Sequence, residues 1–214
     1  VLYNPDRLEQ SEGPENNIYV LLTNTGTLFT RLIKAFTSAP YNHASLAFDA
    51  ELKEVYSFGR MRPNNPLLAG FVQENVYDGV YRMHPDTSCT LLRFRVTEQQ
   101  IAMIKQFVQS IEQNKNDYGY NLLGVIGIML KVDYNPESEY FCSQFVAEAL
   151  NRGGLELWDR PSTKVTPEDF RQHPQMEAVY EGLLYDYPLL DEHKVRLALA
   201  NRTGAVKGAA GYGI

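Results

Sequence analysis

Two side chains hold most of the chemical potential of this sequence, Cys142 and His43. Cys142 lies in Glu139-Tyr140-Phe141-Cys142-Ser143-Gln144-Phe145-Val146-Ala147-Glu148-Ala149-Leu150, where Phe145, Val146, Ala149 and Leu150 recur at helical spacing. The thiol therefore falls on the first turn of a helix. Unpaired backbone N–H groups and the helix dipole favour anions at that end, and such a position lowers the pKa of a cysteine. The same N–H groups suit the oxyanion that forms when a thiolate attacks a carbonyl.

His43 opens the run His43-Ala44-Ser45-Leu46-Ala47-Phe48. Strand alternation puts His43, Ser45 and Ala47 on one face and Ala44, Leu46 and Phe48 on the other. The first face is small enough for the cysteine helix to lie against it. A nucleophilic thiol needs a base, and the base needs an orienting partner. The neighbouring strand, Glu54-Val55-Tyr56-Ser57-Phe58, offers Ser57, Tyr56 or Glu54 for that purpose. Plainer readings stand beside these. A cysteine near a helix start is often a small core residue, and a strand histidine is often only hydrogen-bonded structure. Cys89 reads as packing or surface. His84 and His173 each precede a proline, and His193 sits in the charged cluster Asp191-Glu192-His193-Lys194.

The elements that must position the pair follow from the pattern. Residues 18–22 form an apolar run and a buried strand. Thr27 caps a helix over 28–37, which Pro40 stops. Strands follow at 43–48, 54–58, 76–83 and 90–96, the last with Leu92, Phe94 and Val96 alternating with Arg93 and Arg95. The stretch from Arg60 to Gln73 contains Pro63, Asn64, Asn65 and Pro66, and reads as a surface loop or lid. Thr97-Glu98-Gln99-Gln100 is a capping box that opens a helix through Ile111. The cysteine helix closes at Gly153-Gly154, and Thr166-Pro167 starts another. Consecutive strands with helices gathered to one side predict an α+β domain, an antiparallel sheet packed against helices. The expected organisation is an N-terminal arm over 1–17, one domain over 18–200, and a disordered tail over 201–214.

Composition excludes several classes of function. Acidic residues outnumber basic ones 26 to 20, a net charge of −6 with no basic stripe, so no nucleic-acid partner is expected. Hydrophobic residues at 44% exclude a disordered chain. The longest near-continuous apolar run, 122–130, is broken by Gly124 and Gly127 and falls short of the roughly 20 residues of a membrane span. Without a signal pattern the chain as given is expected to be cytoplasmic. Residue 1 is valine, which leaves a removed leader open. The two cysteines then read as free thiols. The four histidines lack ligand spacing, and no phosphate loop is present, so neither metal nor cofactor is expected. The oligomeric state stays open.

Three segments together carry a family resemblance: Tyr41-Asn42-His43-Ala44-Ser45-Leu46-Ala47-Phe48, Val55-Tyr56-Ser57-Phe58-Gly59-Arg60, and Tyr140-Phe141-Cys142-Ser143-Gln144-Phe145-Val146. They resemble the circularly permuted branch of the NlpC-type papain-like superfamily, the branch of the lecithin retinol acyltransferase group, in which the histidine precedes the cysteine. The resemblance spans roughly residues 18 to 170. It implies a papain-like fold, Cys142 as nucleophile, His43 as base and Ser57 at the third, polar position. Family members often carry His, Glu, Asn or Gln there, so Glu54 or a bound water is the alternative. It also implies Tyr118, Tyr140 and Arg60 as substrate contacts. The implied activity is hydrolysis of an amide bond in a small peptide, cell-wall-derived peptide or amino-acid derivative through a thioester. A lipid acyltransferase or phospholipase using the same pair, and a non-catalytic papain-like binding module, are the alternatives.

Overall fold

The centre of the sheet is built where apolar residues recur on both faces of a strand. In Asn16–Asn24 and Ser88–Val96 six consecutive residues are buried, so each strand is covered from two sides. The computed structural model describes residues 2–3, 16–26, 39–62, 65–115, 117, 119–120 and 139–207. Its strands are β1 (Leu2–Tyr3), β2 (Asn16–Asn24), β3 (His43–Ala47), β4 (Val55–Arg62), β5 (Asn65–Glu74), β6 (Ser88–Val96), β7 (Gly119–Tyr120), β8 (Glu139–Tyr140) and β9 (Glu177–Leu183). Its helices are α1 (Gly79–Met83), α2 (Glu98–Gln113), α3 (Cys142–Arg152), α4 (Pro167–Gln172) and α5 (Glu192–Lys207). Seven strands pair antiparallel in the order β1-β9-β6-β2-β3-β4-β5, and β7 and β8 form a separate short parallel pair. The architecture is α+β.

Two apolar layers sandwich the sheet. On one face Ile18, Val20, Leu22, Ala44, Leu46, Phe58, Phe71, Leu92 and Phe94 meet α2 and α3 through Ile104, Val108, Phe145, Val146 and Ala149. On the other, Tyr19, Leu21, Ala47, Val55, Cys89 and Leu91 pack with Tyr81, Tyr180 and Tyr187. The helix starts behave as their sequences dictate. Thr97 Oγ1 accepts from the Gln100 amide at 3.2 Å while Gln100 Oε1 accepts from the Thr97 amide at 2.9 Å. Pro167 stands in the first turn of α4, and Asp169 Oδ2 accepts from the Thr166 amide at 2.7 Å.

Several expectations need correction. Residues 76–83 are a turn and a short helix rather than a strand. Asn75 Oδ1 accepts from the Tyr77 amide at 2.9 Å, and Gly79 takes φ +60°, so local turn chemistry outweighs the apolar pattern. The stretch from Arg60 to Gln73 is no lid. β4 runs through Arg62, β5 runs from Asn65 to Glu74, and the two pair antiparallel, so the described part of the stretch is strand. Arg93 is buried rather than solvated, because β9 covers β6 and Glu177 pairs with it at 2.6 Å. The arm read over 1–17 contributes Leu2–Tyr3 as an edge strand on β9 and Asn16–Asn17 to β2. α5 extends to Lys207, into the stretch read as a tail. The helix expected over 28–37 lies outside the described residues.

Candidate active site

The site forms where the β3–β4 ladder stops. These two strands pair at only two positions, Leu46 with Tyr56 and Ala47 with Val55. Continuing that register would set Ser45 opposite Ser57 and His43 opposite Gly59. The His43 imidazole occupies this position instead. A Cβ built on Gly59 would stand 3.3 Å from His43 Cε1 and 3.4 Å from Ser57 Oγ, so the missing side chain leaves the ring its place.

Helix α3 brings Cys142 to the imidazole. Phe145 anchors the helix, fully buried among Phe58, Phe71 and Phe107. Ser143 Oγ ties its first turn to the Val165 carbonyl at 2.7 Å. Gln144 Oε1 accepts from the Phe141 amide at 3.4 Å; Phe141 has no side-chain acceptor, so the first-turn amides get no reciprocal cap. At the other end Gly153 lies so close to Ile104 that a Cβ would come within 2.6 Å of it, which fixes α3 against α2. The helix packs on the Ala44–Leu46 face of β3. This corrects the expectation that it would lie against His43, Ser45 and Ala47. Those residues belong to the opposite face, and His43, at the strand end, bridges the two.

The third group is Glu74, which the sequence reading missed. Its Oε1 lies 2.7 Å from His43 Nε2, which leaves Nδ1 as the ring nitrogen for the sulfur. Ser57 Oγ donates to the same oxygen at 2.5 Å. The other oxygen, Oε2, accepts from Tyr81 OH at 2.6 Å and Ser45 Oγ at 3.0 Å. Ser57 thus touches the carboxylate, one step beyond the position expected of it. Glu54 lies away from the site, on the surface with Lys105 at 3.2 Å. Glu74 could have been found by reading 55–74 as one hairpin. Its register pairs Val55 with Glu74 and Ser57 with Val72, so the carboxylate shares a face with Ser57.

The electrostatics are those of a mutually supporting set. Burial opposes charge on His43, but the Glu74 carboxylate, followed by the hydrogen bond and charge of Cys142, raises its pKa from 6.5 to about 10. Burial likewise works against the Glu74 anion. The His43 charge and the hydrogen bonds from His43, Ser57 and Tyr81 prevail and lower it to about 2. Burial pushes the Cys142 thiol up. The His43 hydrogen bond and charge, with the backbone amides of Ala44 and Ser143, carry it below its ordinary value. Cys89 is the counter-example: burial, then the charge of Glu181, pushes its pKa up to about 12. Both cysteines are free.

The remaining candidates are placed unevenly. Tyr140 is half-buried and packs on Phe58 with ring centroids 5.1 Å apart. Arg60 lies on β4, but its side chain, like the whole of Tyr118, falls outside what the structure describes. His173 lies elsewhere, 3.1 Å from the Leu157 carbonyl. Among the described residues no group of three His, Cys, Asp or Glu side chains gathers to hold a metal ion, and no helix is long and apolar enough to cross a membrane. Comparison with known proteins finds no matching family model and no matching curated sequence.

Proposed function

We propose that this protein is a cysteine hydrolase of the papain-like class, in its permuted NlpC-type form, acting on an amide bond of a small peptide or amino-acid derivative. The observation that carries this reading is the single imidazole held between a thiol and a buried carboxylate, Cys142–His43–Glu74. The chain order, with His43 on a strand before the cysteine helix, agrees with the permuted arrangement.

The chemistry follows from the protonation states. At neutral pH His43 carries the proton and Cys142 is a thiolate, stabilised by the Ala44 and Ser143 amides and the positive end of α3. The thiolate attacks the carbonyl carbon and a C–S bond forms, while first-turn amides of α3 meet the oxyanion. His43 gives its proton to the leaving nitrogen, the C–N bond breaks, and a thioester remains. Water then attacks. His43 takes a proton from it, the C–S bond breaks, and the acid leaves with the Cys142 thiolate and the protonated His43 restored. Glu74 remains an anion throughout and keeps the imidazole aligned.

Incubation with a panel of dipeptides, amino-acid amides and phospholipids, read by mass spectrometry, tests the proposal. Peptide or amide turnover lost in Cys142→Ser supports it. Turnover of lipids alone would replace it with the lipid acyltransferase reading. No turnover, with Cys142 no more reactive than Cys89, would leave a binding module.

A further inference from the structure

We propose that Tyr81 is a positioning residue for this reaction, holding Glu74 as a fixed anion by closing its second oxygen. The inference rests on the reading of Cys142 and His43 as a reacting pair. A carboxylate has about four acceptor sites. Glu74 has four partners, two on each oxygen: His43 and Ser57 on Oε1, Tyr81 and Ser45 on Oε2. They come from two strands of the sheet, β3 and β4, and from α1, and the Ser45, Ser57 and Tyr81 side chains are buried. Tyr81 is brought there by a chain reversal that also sets Val76 and the Tyr81 ring in the second apolar layer. Asn75 turns the chain directly after Glu74, Gly79 takes a positive φ, and the five-residue helix α1 returns the phenol to the carboxylate seven residues back.

The consequence is chemical. A buried carboxylate oxygen without its donors gains affinity for a proton. Once protonated, Glu74 no longer supports a charged His43, and the imidazolium in turn no longer supports the Cys142 thiolate. The titratable groups facing Glu74 are His43 and Tyr81, with Cys142 behind His43. Every link therefore passes through this carboxylate. A tyrosine present only for packing would have no such effect on the thiol.

The test is the pH dependence of Cys142 alkylation by iodoacetamide, followed by intact mass in the wild type, Tyr81→Phe and Ser45→Ala. It requires no substrate. The wild type should show two steps: an acid one where the thiolate–imidazolium pair forms, and an alkaline one where His43 loses its proton. In Tyr81→Phe the acid step should move up and the alkaline step down, by about 1 pH unit. The His43 Nε2–H proton resonance should broaden in parallel. Ser45→Ala removes the other Oε2 donor without touching the α1 packing, and should narrow the interval in the same sense. If Tyr81→Phe does not fold, Ser45→Ala decides. Variant curves that superimpose on a two-step wild type would overturn the role of Tyr81 alone. A wild type with a single step in the ordinary thiol range would overturn the reacting pair and this inference together.

Discussion

His43 Nε2 and Glu74 Oε1 stand 2.7 Å apart, joining the first residue of one strand to the last residue of another across the strand between them. That contact makes Glu74 rather than Ser57 the group that orients the imidazole. Glu74→Gln keeps the shape, removes the charge, and should lower the rate of turnover by about 100-fold or more. Ser57→Ala removes one of four donors to the carboxylate and should cost about tenfold. Steady-state kinetics on both variants checks the order. A larger loss in Ser57→Ala than in Glu74→Gln would return the third position to the serine.

The two thiols should differ sharply in reactivity. Cys89 is buried and its pKa is pushed up to about 12, whereas Cys142 is held below its ordinary value by His43. Brief iodoacetamide treatment at pH 7, followed by peptide mapping, should find label on Cys142 and almost none on Cys89. Equal slow labelling of both would contradict the proposed thiolate.

Stability should depend on pH through the same ion pair. His43 has a raised folded-state pKa, so its contribution is complete below about pH 6.5 and is lost as pH rises through about 10. Glu74 is depressed, so its contribution is complete above about pH 4.5 and is lost as pH falls through about 2. Thermal melts should place the maximum of this contribution between about pH 4.5 and 6.5, with a slow decline on either side. In Glu74→Gln both limbs should flatten; a melting profile parallel to wild type from pH 5 to 10 would sink the assignment.

Two glycines should separate activity from stability. In Gly59→Ala the new methyl meets His43 Cε1 at 3.3 Å and must displace the ring by a few tenths of an ångström. Turnover should fall by about tenfold with little change in melting temperature, since reacting groups tolerate little misplacement. In Gly153→Ala the methyl meets Ile104 at 2.6 Å within the buried contact between α2 and α3. That variant should lose about 1–3 kcal/mol of stability. Chemical denaturation and turnover measured on both distinguish the cases, and the reverse pattern would contradict the geometry.

The parts of the fold legible in the sequence are those with a local signal. Thr97 and Gln100 announce α2, Thr166 and Pro167 announce α4, and the apolar period after Cys142 announces α3. Cys142 and His43 were legible for the same reason, one at a helix start and one at a strand start. Glu74 was not. Its role depends on the register with β4, and the sequence Pro63-Asn64-Asn65-Pro66 reads as loop until that register is known. Tyr81 was hidden in a segment whose apolar pattern suits a strand, while its helix depends on Gly79 and Asn75. Arg93 alternates as a surface residue would, yet β9, some 84 residues further along, covers it.

The early end of the β3–β4 ladder has a consequence for biosynthesis. The sulfur arrives with a helix on one side of the sheet, the carboxylate sits on the other, and the imidazole joins them only where the strands part. No fragment ending before residue 142 contains the thiol at this spot, and no single layer assembled alone presents all three groups. On the proposed chemistry a nascent or half-collapsed chain is chemically mute, and reactivity would be switched on by completion of the tertiary structure itself.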